Sequence, residues 1–254
     1  TTLRTLISFA ARQYRKADGE PIISHNPVLA LKDDWIPLKP RTRDVPENKV
    51  GDVWHMLLQA YDNARDDSAR SGVDLVRFLM LTGARRNEGA KLTWDRVDLD
   101  EGWFHLSDTK NSNPVWLPLS SQAIELLKAR KPADGVKNAS PFVFPSRSKA
   151  GHVMDTRSPL EKISKVVGIH LSAHDLRRTF VSIGVAILDI DLHKVELLTN
   201  HVPKGVTARH YLQTSKLQYL QPEVQSIGSW IEHEGRVAAA KAIGGNVVLL
   251  PQRA

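Results

Sequence analysis

The chain has no cysteine, which removes disulfides, thiol nucleophiles and every cysteine-based zinc or iron–sulfur site in one step. Any nucleophile must then be an oxygen. Tyrosine is scarce as well, with four in 254 residues, so the setting of each phenol matters. Long apolar runs are missing. The longest passes from Phe180–Gly184 into Val185–Leu188, far short of the ~20 residues that cross a bilayer, so no membrane partner is expected. The N-terminus lacks the charged, apolar and small-residue regions of a signal peptide. A cytoplasmic address is therefore expected, and the missing initiator methionine fits an excised fragment.

What the chain does contain is ordinary for a globular protein: 41% apolar and 25% charged residues. Its excess of 35 Lys and Arg over 28 Asp and Glu leaves a net charge of +7, which attracts polyanions such as nucleic acid.

Periodicity organises the chain. Leu3 to Tyr14 reads as one amphipathic helix, and Gly19 to Pro46 as a basic linker, because Pro21, Pro27, Pro37, Pro40 and Pro46 interrupt helices. Helical spacing resumes at Val53–Ala64 and Val73–Leu81, closed by Gly83, with a short helix from Arg86 to Leu92. Trp94–Leu99, Trp103–Leu106 and Val115–Leu117 read as three short strands of a small antiparallel sheet. Helices are expected again at Gln122–Ala129, Arg157–Val167, Ala173–Leu188, Leu192–Leu198, Thr207–Leu212 and Leu217–Ile243. Ser172 with Asp175 forms a weak capping box that puts His174 in the first turn of its helix. After Gly244-Gly245, Val247 to Leu250 reads as a strand without a partner.

Four places could carry chemistry. Thr82-Gly83-Ala84-Arg85-Arg86-Asn87-Glu88 joins two helices, so Arg85 can project from the turn toward a phosphate. It is also an ordinary surface arginine with Glu88 at a helix start. His174 and Arg177 share a helix face; the same spacing recurs at His233 and Arg236, but in a polar setting. His201 precedes Tyr211 by ten residues with a turn at Pro203, Lys204 and Gly205, although a half-buried, hydrogen-bonded tyrosine is the commoner fate of that residue. Lys110 sits at a hairpin tip, where lysine is usually a solvated edge charge.

Taken in order, Arg85, Lys110, His174, Arg177, His201 and Tyr211 resemble the tyrosine recombinase (phage integrase) family. The matching stretches are Thr82–Glu88, Leu92-Thr93-Trp94-Asp95, Asp108-Thr109-Lys110-Asn111 with Leu117-Pro118-Leu119-Ser120, His174–Phe180, and His201–Tyr211. The resemblance spans about Val45 to Ser215. Two departures are local: Thr199-Asn200 stands where the family commonly has Leu-Gly, and the His-to-Tyr gap is often one residue shorter.

The resemblance implies an α+β fold, mainly α-helical: the tyrosine-recombinase catalytic fold, with a small three-stranded antiparallel sheet packed on a helical core. It implies residues 1–44 as a remnant helix of a core-binding domain plus the basic linker, 45–220 as the catalytic domain, and 221–254 as a C-terminal tail, with Ile243–Leu250 docked on a neighbouring subunit or folded back. It implies a site-specific recombinase that forms a 3′-phosphotyrosine at Tyr211 without metal, ATP or other cofactor. Arg85 and Arg177 would clamp the scissile phosphate with His174 and His201 beside them, Lys110 would protonate the leaving 5′ oxygen, and Glu88 would support Arg85. The implied partners are double-stranded DNA at attachment sites, a homo-tetramer on that DNA, and accessory DNA-bending or directionality proteins. A type IB topoisomerase shares the fold and the tyrosine, but the match of His174-Asp175-Leu176-Arg177 argues against it. A catalytically silent DNA-binding module is disfavoured by the completeness of the set.

Overall fold

A computed structural model describes residues 2–32, 42–107, 114–133, 135, 139–201 and 216–244. Contacts divide the chain into two compact units, Thr1–Thr42 and Arg43–Ala254. In the first, α1 (Thr2–Gln13) carries apolar residues at helical spacing yet buries none of them. Asn26 Nδ2 donates to Arg4 O and Ser8 Oγ, both at 2.8 Å, and ties the following turn to the helix.

The second unit is built around α3 (Asp67–Thr82), whose residues from Ser71 to Thr82 are buried apart from Arg77. Asp66 starts this helix by accepting from Ala69 N. On it pack α2 (Glu47–Asp62), α5 (Ser121–Arg130), α7 (Ala173–Ser182) and the long C-terminal helix α9 (Gln221–Ala242), and α2 also packs against α6 (Arg157–Val167). Phe78, Phe104, Phe144 and Phe180 are the largest fully enclosed side chains. Inside this core, Asp74 receives Arg77 at 2.8 Å and Arg130 at 2.7 Å, so its buried carboxylate is paired twice.

The sheet has the order β1 (Val97–Asp98), β2 (Trp103–Leu106), β3 (Val115–Pro118), antiparallel throughout, with Phe104 opposite Leu117 and Leu106 opposite Val115. Phe104, Leu106, Val115 and Leu117 point into the core, which leaves Trp103, His105 and Trp116 on the outer face. The first expected strand is cut down, because Trp94–Arg96 forms a 3-10 turn and only two residues pair.

Two further expectations change. The helix expected to run from Ala173 to Leu188 stops at Ser182, and Ile183–Ile187 is π-helical. The segment from residue 221, expected as a tail, is α9. Val224, Ile227 and Ile231 are enclosed in the core, so 221–242 is part of the catalytic unit's own packing. The boundary near residue 44 also moves slightly, because Asp44 and Val45 are bonded to α7 through Ser182 Oγ (2.6 Å) and Thr179 Oγ1 (2.9 Å). Thr207–Leu212 and Val247–Leu250 lie outside the described residues.

Candidate active site

The loop between α3 and α4 (Arg86–Ala90) begins at Gly83, whose φ of 63° closes α3 in the left-handed region. A Cβ here would stand 2.7 Å from Phe180 Cδ1. Glycine is therefore required twice, by backbone conformation and by the approach of α7. The chain then turns so that Arg85 precedes α4, and Glu88 one turn on receives both the Arg85 N–H (2.8 Å) and its Nη1 (2.7 Å). Glu88 is almost enclosed while Arg85 keeps about a quarter of its side chain exposed. One face of the guanidinium is thus anchored and another remains open.

Helix α7 begins as the capping box suggests: Asp175 Oδ2 accepts from Ser172 N (2.8 Å) and Ser172 Oγ (2.7 Å). Burial opposes the charge on Asp175, but the Ser172 bonds and the guanidinium groups of Arg43 and Arg178 outweigh it and hold its pKa below the usual carboxylate value. The helix start is therefore rigid, and His174 projects from its first turn.

Arg177 is 6% exposed. Its Nη1 donates to Gly83 O at 2.9 Å, and its Nη2 donates to Thr199 O. One side chain thus links the ends of α3 and α8 (Leu192–Leu198). Burial and then the neighbouring Arg85, against the pull of Glu88, lower its pKa to about 10, so it stays cationic at neutral pH.

Asn200 follows with φ 51°, a left-handed conformation that asparagine tolerates better than most residues. This is how the chain manages the turn where a glycine is more usual. His201 N then donates to Glu196 O (2.8 Å). The pKa of His201 is lowered by what burial it has, then by Arg177 and Arg85, with His174 a smaller contributor. That of His174 is lowered by burial, then by Arg178 and Arg177, with Arg85 also acting. Both side chains are largely exposed, and both rings are held toward the neutral form.

Arg85, His174, Arg177 and His201, up to 116 residues apart in sequence, therefore sit within one another's electric fields. Arg85, His174 and Arg177 line a cavity of about 1020 Å³ together with Lys91, His105 and His152. Its far wall is the loop carrying Phe142 and His152, held by Val143 N donating to Leu92 O (2.9 Å). Such a cluster of partly neutralised cations and imidazoles is suited to an anion with several oxygens. Lys110 and Tyr211 lie outside the described residues. The strands that flank Lys110 do pair, Leu106 with Val115. Among the described residues, no three His, Asp or Glu side chains gather as metal ligands would.

The model of the phage integrase family matches residues 50–218. The chain belongs to that family. It is 30% identical over 165 residues to the prophage integrase IntF of Escherichia coli K12, covering 64% of this chain and 34% of that protein. It is also 28% identical over 133 residues to a putative integrase/recombinase of Haemophilus influenzae, covering 50% of this chain and 35% of that one. The chain thus spans about a third of the length of these curated relatives. Among solved structures, XerH site-specific recombinase bound to difH substrate has a TM-score of 0.54 at 20% identity, over 82% of this chain and 58% of that one. A lambda integrase dimer bound to a COC′ core site has a TM-score of 0.52 at 16% identity, again over 82% and 58%. These likenesses establish the tyrosine-recombinase fold, with its helical core and small three-stranded sheet.

Within that family frame, reasoning from sequence passed over Lys91, Arg96 and His105, which line the same cavity. A signal was present for His105: the alternation of β2 sets it on the face opposite Phe104 and Leu106.

Proposed function

We propose that this chain is the catalytic part of a site-specific DNA recombinase that cuts and rejoins strands through a 3′-phosphotyrosine. The observation that carries this reading is the convergence of Arg85, His174, Arg177 and His201 within one another's electric fields, with the first three lining one cavity, in a member of the phage integrase family. Arg85 and Arg177 neutralise the non-bridging oxygens of the scissile phosphate, and His174 and His201 add hydrogen bonds as charge grows in the pentacoordinate transition state. The Tyr211 oxygen attacks phosphorus, and its proton passes to a base for which neutral His174 is suited. The bond from phosphorus to the 5′ oxygen breaks, and Lys110 protonates that oxygen. The ester keeps the bond energy, so rejoining by a 5′ hydroxyl reverses the step without ATP, and cations of the chain itself supply the electrostatic stabilisation without a metal.

The same reading takes residues 1–44 as part of a core-binding domain with its linker, and Ile243–Leu250 as a segment that docks on a neighbouring subunit or folds back over the catalytic face. Its partners are double-stranded DNA, three further copies of the chain on paired sites, and accessory DNA-bending or directionality proteins, in the cytoplasm.

Covalent capture of a nicked duplex, with its site recovered by selection from random sequence, tests the reading. Wild-type chain should form an adduct that survives denaturing electrophoresis, and Tyr211→Phe should form none. Adducts of equal yield from Tyr211→Phe would remove the assignment.

A further inference from the structure

The cavity is larger than one phosphate needs. Its volume of about 1020 Å³ lies at the upper end of the range of ~300–1,000 Å³ for pockets that take drug-sized ligands. Besides Arg85, His174 and Arg177, its lining includes a second group, Lys91, Thr93, Arg96, His105 and Ser107, from the segment after α4 and from β2 and its end.

The charge of this second region is uncompensated. Arg77 and Arg130 share Asp74, Arg85 has Glu88, and Arg157 has Asp155. Among the described residues, Lys91 and Arg96 have no carboxylate within ion-pair distance. His105 is held in place by stacking on Trp116, with ring centroids 4.0 Å apart and planes inclined by 22°, and Trp116 in turn meets Trp103 edge-on. The His105 Nε2 is shielded from water and has no hydrogen-bond partner among the described residues. Burial, then the nearby Arg96, lower the His105 pKa. Two cations with no carboxylate partner among the described residues, set beside a fixed imidazole in one cavity, attract an anion.

We propose that Lys91, Arg96 and His105 form a second anion subsite, which holds a phosphodiester of the same DNA strand next to the one bound at Arg85 and Arg177. This rests on the recombinase reading for the identity of the anion. Arg96 and Lys91 supply the charge, and the His105 ring, fixed by its stack on Trp116, forms part of the wall beside them. The subsite sets the register of the strand, so that the scissile phosphorus lies over the two arginines; its residues are positioning residues.

Binding of a fluorescent 30-base-pair duplex of arbitrary sequence to the full chain, across a salt series, tests this. Arg96→Gln and Lys91→Gln should each reduce the slope of log affinity against log salt by about 1. Lys165→Gln, an equal loss of charge on the exposed side of α6, should leave it unchanged. An unchanged slope in both subsite variants, or an equal loss in Lys165→Gln, overturns the proposal. A second measurement needs no variant: titrating the wild-type chain with 5′-phosphorylated thymidine dinucleotide should move the His105 imidazole resonances, and resonances that stay put through saturation count against the subsite. Failure of the recombinase reading is seen separately, as adduct formation indifferent to Tyr211→Phe, while the salt slopes continue to report on the subsite.

Discussion

Arg177 is a costly residue kept in the core. Lowering its guanidinium pKa from the ordinary arginine value to about 10 corresponds to roughly 3 kcal/mol against the charged form. Its two bonds to Gly83 O and Thr199 O oppose that cost, because removing the donor strands two carbonyls at about 1–3 kcal/mol each. The terms nearly cancel. Arg177→Met is therefore expected to fold within about 2 kcal/mol of wild type by urea titration and to lose covalent capture by at least ~100-fold. A variant that folds and still captures DNA at the wild-type rate would show that the guanidinium does not meet the phosphate. Sequence spacing placed Arg177 beside His174, but it carried no hint that this arginine spans two helix ends.

At the scale of elements, two helix ends govern the site. Gly83→Ala combines left-handed strain of ~1–2 kcal/mol with a Cβ 2.7 Å from Phe180, for which overpacking adds ~1–3 kcal/mol. A loss of about 2–5 kcal/mol is expected in chemical unfolding, with DNA capture falling further than stability because the Gly83 carbonyl anchors Arg177. At the start of α7, Asp175 is ionised and doubly bonded to Ser172. Its pKa is lowered in the fold, so its contribution is present above the unfolded value of ~3.9 and is lost as pH falls through the lower, folded value. Asp175→Asn should cost about 1–3 kcal/mol at pH 7. The gap from wild type should narrow below about pH 4; a gap that stays constant down to pH 3 would deny the carboxylate this role.

For the whole molecule, three imidazoles have lowered pKa values: His105 and His174, which line the cavity, and His201, which feels Arg177 and Arg85. The folded chain therefore binds fewer protons than the unfolded one just below the ordinary histidine value of ~6.5, and stability must fall as pH drops through that region. The melting temperature should decrease from pH 7.5 to pH 5.5. Sulfate should offset the decrease, since an anion in the cavity favours the charged imidazoles and stabilises the fold by mass action. The sulfate effect should be much smaller in Arg177→Met. Equal melting temperatures at the two pH values would remove the linkage.

Some of this was legible before any coordinates. The 3.6-residue spacing of apolar side chains, the capping signal at Ser172, and the alternation in β2 and β3 depend on neighbours along the chain, so elements such as α3, α6 and the Trp103–Leu106 strand could be read directly. The order of Arg85, His174, Arg177 and His201 pointed to the family for the same reason: a motif is a local pattern. Other features depend on packing between distant segments. Periodicity cannot tell a helix sunk in the core from a trailing one, so α9 reads as a tail in the sequence, whereas the fold encloses its Val224, Ile227 and Ile231. Nor does it reveal that Gly83 and Thr199 meet at one guanidinium, or that His105 faces the cavity holding Arg85. The family to which this chain belongs was written in its order of residues. How its side chains converge was decided by tertiary contacts, since electrostatic and hydrogen-bond partners up to 116 residues apart meet only after the core has closed.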